Sequence, residues 1–256
     1  MNCVKKCKLL AIEAIQYNGW LCLKLDDLWQ ALHLSFNSAQ NHQINTELLE
    51  EIPSKLITQW KPFSEEEFTS VILKYNNSLI PRSDKLSWRH IKFIIKNTTC
   101  LQNIINIVNV CINLGYWPYH FKTSSSIIIS KPNKVLYDSP KAFRPIVLLN
   151  MLSKLIGKVI SERLQFQSIS KDFIHLCQLG SLKQYSIMDA GVALTHLIHT
   201  GWVKNLLTST LAFDIAQFFL SLNYQLLSLI LAKAGFNSKI SSFFYNYLVD
   251  RKTKCF

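Results

Sequence analysis

The sequence predicts a mixed fold of the α/β or α+β class, in which helices and short strands alternate irregularly. Three observations carry that expectation. Apolar residues recur at helical spacing in several segments, beginning with Phe68, Val71, Ile72 and Tyr75. A β-branched run, SSIIIS, and a proline-bracketed stretch, KAFRPIVLLN, have the composition of strands instead. At 256 residues, 49% hydrophobic and 12% aromatic, the chain can bury a sizeable core, which excludes a disordered polypeptide.

Residues 1–60 are mixed in composition and carry no strong punctuation, and they read as a helical extension. Ser64 and Glu67 have the spacing of a capping box ahead of the first clear helix, which Asn76, Asn77, Ser78 and Pro81 end. Trp88, Ile91, Ile94 and Ile95 align on a second helix, and a third runs to Leu114 and stops at Gly115, a residue suited to a left-handed cap. Ser125–Ser130 reads as a strand, and the segment between Pro140 and Pro145 as extended. Asn150 caps a helix with an apolar stripe of Leu152, Leu155, Ile156, Val159, Ile160 and Leu164. A further helix is expected over Ala190–His199. Thr210–Ile215 alternates, with Leu211, Phe213 and Ile215 on one side and Ala212 and Asp214 on the other, the pattern of a half-buried strand. Asn223 caps the next helix, which Gly235 ends, and a last helix carries Ile240, Phe243, Phe244, Tyr247 and Leu248.

Lysine and arginine outnumber the acids 28 to 16, a formal charge of +12. On a folded domain such a surplus favours a polyanionic partner, because each phosphate neutralised releases counterions. Seven cysteines are scattered without a paired spacing, which points to reduced thiols in an intracellular protein. His196 and His199 have no Cys or carboxylate cluster beside them, a poor basis for zinc. No apolar run approaches the ~18 residues of a membrane span, so no membrane partner is expected.

Three groups of residues have chemistry to offer. Asp214, in the TLAFDI strand, suits a metal ligand or a solvated side chain, and one carboxylate does not decide between them. Lys131 and Arg144 stand at the ends of two extended arms, which can present a point charge and a bidentate fork to one side, as a triphosphate requires. Two exposed strand-end cations would look the same. The stretch His175–Asp189 holds Gly180, Lys183 and Gln184, which suit a nucleic-acid backbone or an ordinary surface loop.

Taken in order, NNSLIPRSDKLSWRHIK, ISKPNK, SPKAFRPIVLLNMLSKLIGKVISERLQF, CQLGSLKQYSIMDAGVALTHLI and LAFDIAQFFLSLNYQLL resemble successive blocks of a reverse transcriptase. The similarity is to fungal non-LTR (LINE-type) retrotransposons and extends over residues 28–256. It implies an α+β fold comprising the fingers and a partial palm of a right-hand polymerase, with 1–60 as an N-terminal helical extension, 61–200 as fingers and 201–256 as the first part of the palm. It implies RNA template, DNA primer, deoxynucleotides and Mg²⁺ as partners. By the same resemblance Asp214 is the first catalytic aspartate and binds magnesium with the carbonyl of Ile215. Lys131 and Arg144 hold the triphosphate, Phe219 is the aromatic gate against a ribose 2′-hydroxyl, and Gln178, Gly180 and Lys183 face the template.

The sequence departs from the family pattern at several places. Arg82 and Ser83 stand where glycine and proline are usual, Ser181 where glycine is, Tyr185 where arginine is, Ile187 where threonine is, and Leu220 where a turn-former is. The Asp-Asp turn that completes the family's metal site has no counterpart in the palm, since the one Asp-Asp pair is Asp26-Asp27. Phosphoryl transfer of this kind uses two metal ions about 3.5–4 Å apart, and one aspartate does not hold both. The chain alone is therefore expected to be inactive, a truncated or decayed polymerase fragment. The alternatives are a non-catalytic RNA-binding module and a non-functional pseudogene product. The Asp214 strand is further expected to leave an unpaired edge and an uncovered apolar face.

Overall fold

The structure is a computed structural model, and it describes residues 14–36, 46–50, 52, 54–75, 84–175, 177–215, 218 and 222–255. It is a mixed fold with small sheets. The chain divides into two compact units, one built from residues 1–156 and 217–256 and the other from 157–216.

The larger unit opens on a hairpin. Strands β1 (Ile15–Tyr17) and β2 (Trp20–Cys22) pair antiparallel with Tyr17 opposite Trp20. Asn18 and Gly19 between them have φ of 50° and 84°, the left-handed pair that a tight two-residue turn needs. This hairpin is a departure from the helical extension expected over 1–60, and its Asn-Gly dipeptide was the clue. Helix α1 (Leu25–Phe36) follows, with Asp26 and Asp27 in its first turn, where a helix dipole favours acids. Ile15, Leu28 and Leu32 form a buried cluster with Ala142 and Phe143.

Helix α2 (Glu65–Lys74) begins at Ser64 with both hydrogen bonds of the expected capping box, and it buries Phe68, Val71 and Ile72. Helix α3 (Trp88–Ile94) buries Trp88 and Ile91. Helix α4 (Thr98–Asn113) is capped by Asn97, whose Oδ1 accepts from the Cys100 amide at 3.1 Å. Its Asn109 turns inward, accepting from the Phe63 amide at 2.7 Å and donating to the Phe63 carbonyl at 3.3 Å, which ties the segment before α2 to α4. Gly115 ends that run at φ 61°, and a Cβ there would lie 2.7 Å from the Ser242 Cβ, so glycine serves both the turn and a close approach.

After the short helix α5 (Tyr119–Lys122) come strands β3 (Thr123–Ser130) and β4 (Phe143–Leu149), both expected from the sequence. Strand β5 (Lys252–Cys255) completes a sheet of order β4-β3-β5, antiparallel on one side of β3 and parallel on the other. No sequence expectation covered β5, a short lysine-rich strand. Helix α6 (Met151–Ser170) buries Met151, Leu155, Ile156, Val159 and Ile160, and the division between the units falls within it.

In the smaller unit, helix α7 (Ile187–Val203) starts at Ser186 with a complete capping box to Asp189, three residues earlier than Ala190. The strand expected over Thr210–Ile215 does not form: residues 206–215 have no regular structure, and Leu211, Phe213 and Ile215 are exposed. Alternation alone does not make a strand, because its backbone groups need a neighbour, and no described strand lies beside this segment.

Back in the larger unit, helix α8 (Tyr224–Lys233) is capped by Asn223, whose Oδ1 accepts from the Gln225 and Leu226 amides at 2.9 and 3.0 Å. Helix α9 (Ser238–Leu248) sends Phe243 and Tyr247 against buried Trp117, at ring separations of 5.5 and 5.2 Å.

Candidate functional site

The register of the three-stranded sheet decides which cations share a face. Arg144 lies opposite Ile129. Lys131, one residue past β3, continues the ladder by donating its amide to the Ala142 carbonyl at 2.8 Å. Positions 129 and 131 point the same way, so Lys131 and Arg144 are diagonal neighbours on one face, about 7–8 Å apart. Arg144 is exposed, while Lys131 is half-buried and its ammonium donates to the Lys141 carbonyl at 2.7 Å. The Tyr137 hydroxyl donates to the Lys131 carbonyl at 2.7 Å and closes the base of the loop between the strands.

On that face Ile127, Ile129 and Ile146 are partly exposed and Ser125 is buried; on the other face Ser124 and Ser126 are buried, Val147 is half-exposed and Phe143 joins the core cluster. Strand β5 adds two cations to the face of Lys131 and Arg144: Lys252 aligns with Thr123 and Lys254 with Ser125. The Lys252 ammonium lies 5.5 Å from the centre of the Tyr119 ring, and the Tyr119 hydroxyl, then the Asp250 charge, push its value up. Sequence reading missed these two lysines because nothing in KTKCF announces a strand.

The residues matched to a template block lie in the smaller unit, on the loop between α6 and α7. Lys183 forms an ion pair with Glu162 of α6 at 2.8 Å, and Gln165 donates to the Ser181 carbonyl at 3.0 Å. These contacts hold the loop on the helix and engage Lys183 with an acid of the same chain. Gln178 curls back to donate to the Gly180 carbonyl at 3.1 Å. Ser181, at the position where glycine is usual in the resemblance, has φ 63°, so the backbone there has the left-handed form that glycine adopts without strain.

Asp214 and Ile215 are exposed in the irregular segment at the end of the smaller unit. Among the described residues no three His, Cys, Asp or Glu side chains gather where a metal ion could be held. The described donor set therefore does not fit a pair of magnesium ions. Asp26 and Asp27, on α1, are in the larger unit. Phe219 lies outside the described residues, as do Arg82, Ser83 and Leu220. Among the described residues no helix is long and apolar enough to cross a membrane.

No protein-family model matches the chain. Over 163 residues, 64% of its length, it is 25% identical to the "Probable RNA-directed DNA polymerase from transposon BS" of Drosophila melanogaster. Over 103 residues, 40% of its length, it is 30% identical to the "Probable RNA-directed DNA polymerase from transposon X-element" of the same organism. These similarities support a reverse-transcriptase-like retrotransposon domain. The matches span 18% and 11% of those two proteins, so the chain corresponds to under a fifth of either.

Proposed function

We propose that these residues are the fingers and the first part of the palm of an RNA-directed DNA polymerase from a non-LTR retrotransposon of fungal type, and that they do not extend a primer on their own. The observation that carries the reading is the diagonal placement of Lys131 and Arg144 on one sheet face. In a polymerase that pair grips the triphosphate of an incoming deoxynucleotide, the lysine as a compact charge and the arginine as a planar fork. The order of the sequence blocks and the similarity to two transposon polymerases support it. On this reading 1–60 is an extension, 61–200 the fingers and 201–256 the start of the palm. Gln178, Gly180 and Lys183 then face the template, Phe219 gates the sugar, and Asp214 with the Ile215 carbonyl stands at the first metal-ligand position of the palm, which these residues alone do not complete.

The inactive reading rests on ligand count: magnesium takes near-octahedral oxygen coordination, and among the described residues no group of three His, Cys, Asp or Glu side chains gathers to supply it. The test combines primer extension and nucleotide crosslinking on an RNA template with a DNA primer and Mg²⁺. A photoreactive deoxynucleoside triphosphate should label the chain, and Lys131→Ala with Arg144→Ala should abolish the labelling, while no extension is seen. Labelling indifferent to both substitutions overturns the nucleotide site. Extension that Asp214→Ala abolishes overturns the inactivity.

A further inference from the structure

A cleft of about 460 Å³ opens between the first hairpin and α1, in a part of the chain to which the polymerase reading gives no role. Ile15, Tyr17, Trp20 and Cys22 share one face of the hairpin, since Tyr17 pairs with Trp20 and Ile15 with Cys22. Ile15 anchors that face in the core with Leu28 and Leu32, and Tyr17 packs against the same cluster. Trp20, next to the turn, is 78% exposed. From α1 the cleft is lined by Asp27, Gln30, Ala31 and Leu34, the i, i+3, i+4 and i+7 positions of one helix face. Of all the lining residues Asp27 alone is charged, an acid on a chain of net charge +12. Among the described residues nothing pairs with its carboxylate.

We infer that this cleft binds a linear segment of a partner protein that presents an arginine and, two residues on, an aliphatic side chain. A carboxylate sharing a cleft with two aromatic rings selects a cation that can both pair and stack. Guanidinium does both, since its planar fork matches a carboxylate and its face lies on a ring, whereas an ammonium is a compact, strongly hydrated charge. Asp27 and Leu34 stand about 10 Å apart along α1, and side chains two apart on an extended segment are about 7 Å apart on one face. The length of an arginine covers the remainder. Ala31, small and buried, leaves the middle of the stripe free for the segment to cross, and exposed Gln30 offers an amide to its backbone. Trp20 and Leu34 leave the rim open, which suits a segment carried by a larger body. A free small molecule is held instead by pockets that enclose most of its surface. Leu23 and Leu25, next in sequence and exposed, extend the apolar area that such a body would cover.

The test is calorimetric titration of the full chain with the peptide acetyl-Gly-Arg-Ser-Leu-Gly-amide, beside a version with citrulline in place of arginine. Citrulline keeps the shape and removes the charge, so it should bind at least about tenfold more weakly. Asp27→Asn should weaken the arginine peptide to the level of citrulline and leave citrulline binding as it was. Trp20→Ala should weaken the arginine peptide about threefold to tenfold, with an unchanged melting curve. Equal affinity of the two peptides for the wild-type chain overturns the site without recourse to a variant, and so does the absence of binding. Argininamide binding as tightly as the peptide would make this a pocket for small cations, and a dimer that Trp20→Ala dissolves would make a second copy the occupant. Either result overturns the partner segment. Nucleotide labelling and primer extension use none of these residues, so the polymerase reading stands or falls separately.

Discussion

Asp84 reaches across 67 positions of sequence to accept the amide of Met151, the first residue of α6, on its Oδ2 at 2.7 Å. Its other oxygen accepts from Leu86 at 3.0 Å, so one carboxylate fixes the turn before α3 and the start of α6 together. Asn150 completes the cap, its Oδ1 accepting from the Ser153 amide at 2.8 Å. A negative group there also meets the positive end of the helix dipole. Asp84→Ala should cost about 1–2 kcal/mol in urea unfolding. Asp84→Asn should cost less, because one carbonyl oxygen remains to accept. Equal stability of the wild type and the alanine variant would show that the contact contributes nothing.

Helix α7 should depend strongly on its first turn, because, like α8, it has no buried residue to hold it by packing. Asp189 accepts from the Ser186 amide and hydroxyl at 2.6 and 2.7 Å, and these bonds, the hydroxyl first, lower its carboxyl below the ordinary value. A depressed folded value means the contribution is complete above the unfolded value, ~3.9. It is lost as pH falls through the lowered folded value. Amide exchange in α7 should therefore be constant from neutral pH down to about 4, after correction for intrinsic rates, and its protection should decline below that. Ser186→Ala should reduce protection at every pH. Protection indifferent to Ser186 would remove the cap from the account.

Ser181 gives a test of backbone strain. At φ 63° it sits where a Cβ costs about 1–2 kcal/mol, and where a β-branched side chain is a strong outlier. Ser181→Gly should leave stability unchanged or raise it by up to about 1 kcal/mol, the relief being offset by the freer unfolded chain. Ser181→Val should lower it by about 1–2 kcal/mol. The order glycine, serine, valine in melting temperature is the readout, and valine matching serine would place the residue outside the left-handed region.

The parts of the fold legible in the sequence were those whose cause is local. Ser64 and Asn223 cap helices by bonds to amides two or three residues on, so spacing is sufficient to find them. SSIIIS became β3 for the same reason, with stiff branched side chains between turn-formers. What escaped was decided by residues far away. Lys252–Cys255 is a strand because β3 lies beside it, more than 120 positions earlier, and Thr210–Ile215 is not one because no described strand does. Of the candidate site, the shared face of Lys131 and Arg144 was readable from a hairpin, whereas the Glu162 partner of Lys183 needed the folded loop. The Asn18-Gly19 turn was a local clue passed over.

The last prediction concerns the apolar surface of the smaller unit. Leu211, Phe213 and Ile215 are 77%, 86% and 64% exposed, and on α7 Ile187, Met188, Val192 and Leu197 are exposed as well. Monomeric proteins seldom leave such a set in water, since each buried Å² of apolar surface gains about 25 cal/mol. The 256-residue chain should self-associate in solution, and light scattering should show its mean mass rising with concentration. Leu211→Lys with Phe213→Lys should suppress this without lowering the melting temperature, because exposed side chains carry little packing energy to lose. Wild-type chain that stays monodisperse at high concentration would mean that this segment covers its own apolar groups. If the lysine variant unfolds instead, Leu211 and Phe213 belong to a core, and the irregular conformation of residues 206–215 is not the one adopted in solution.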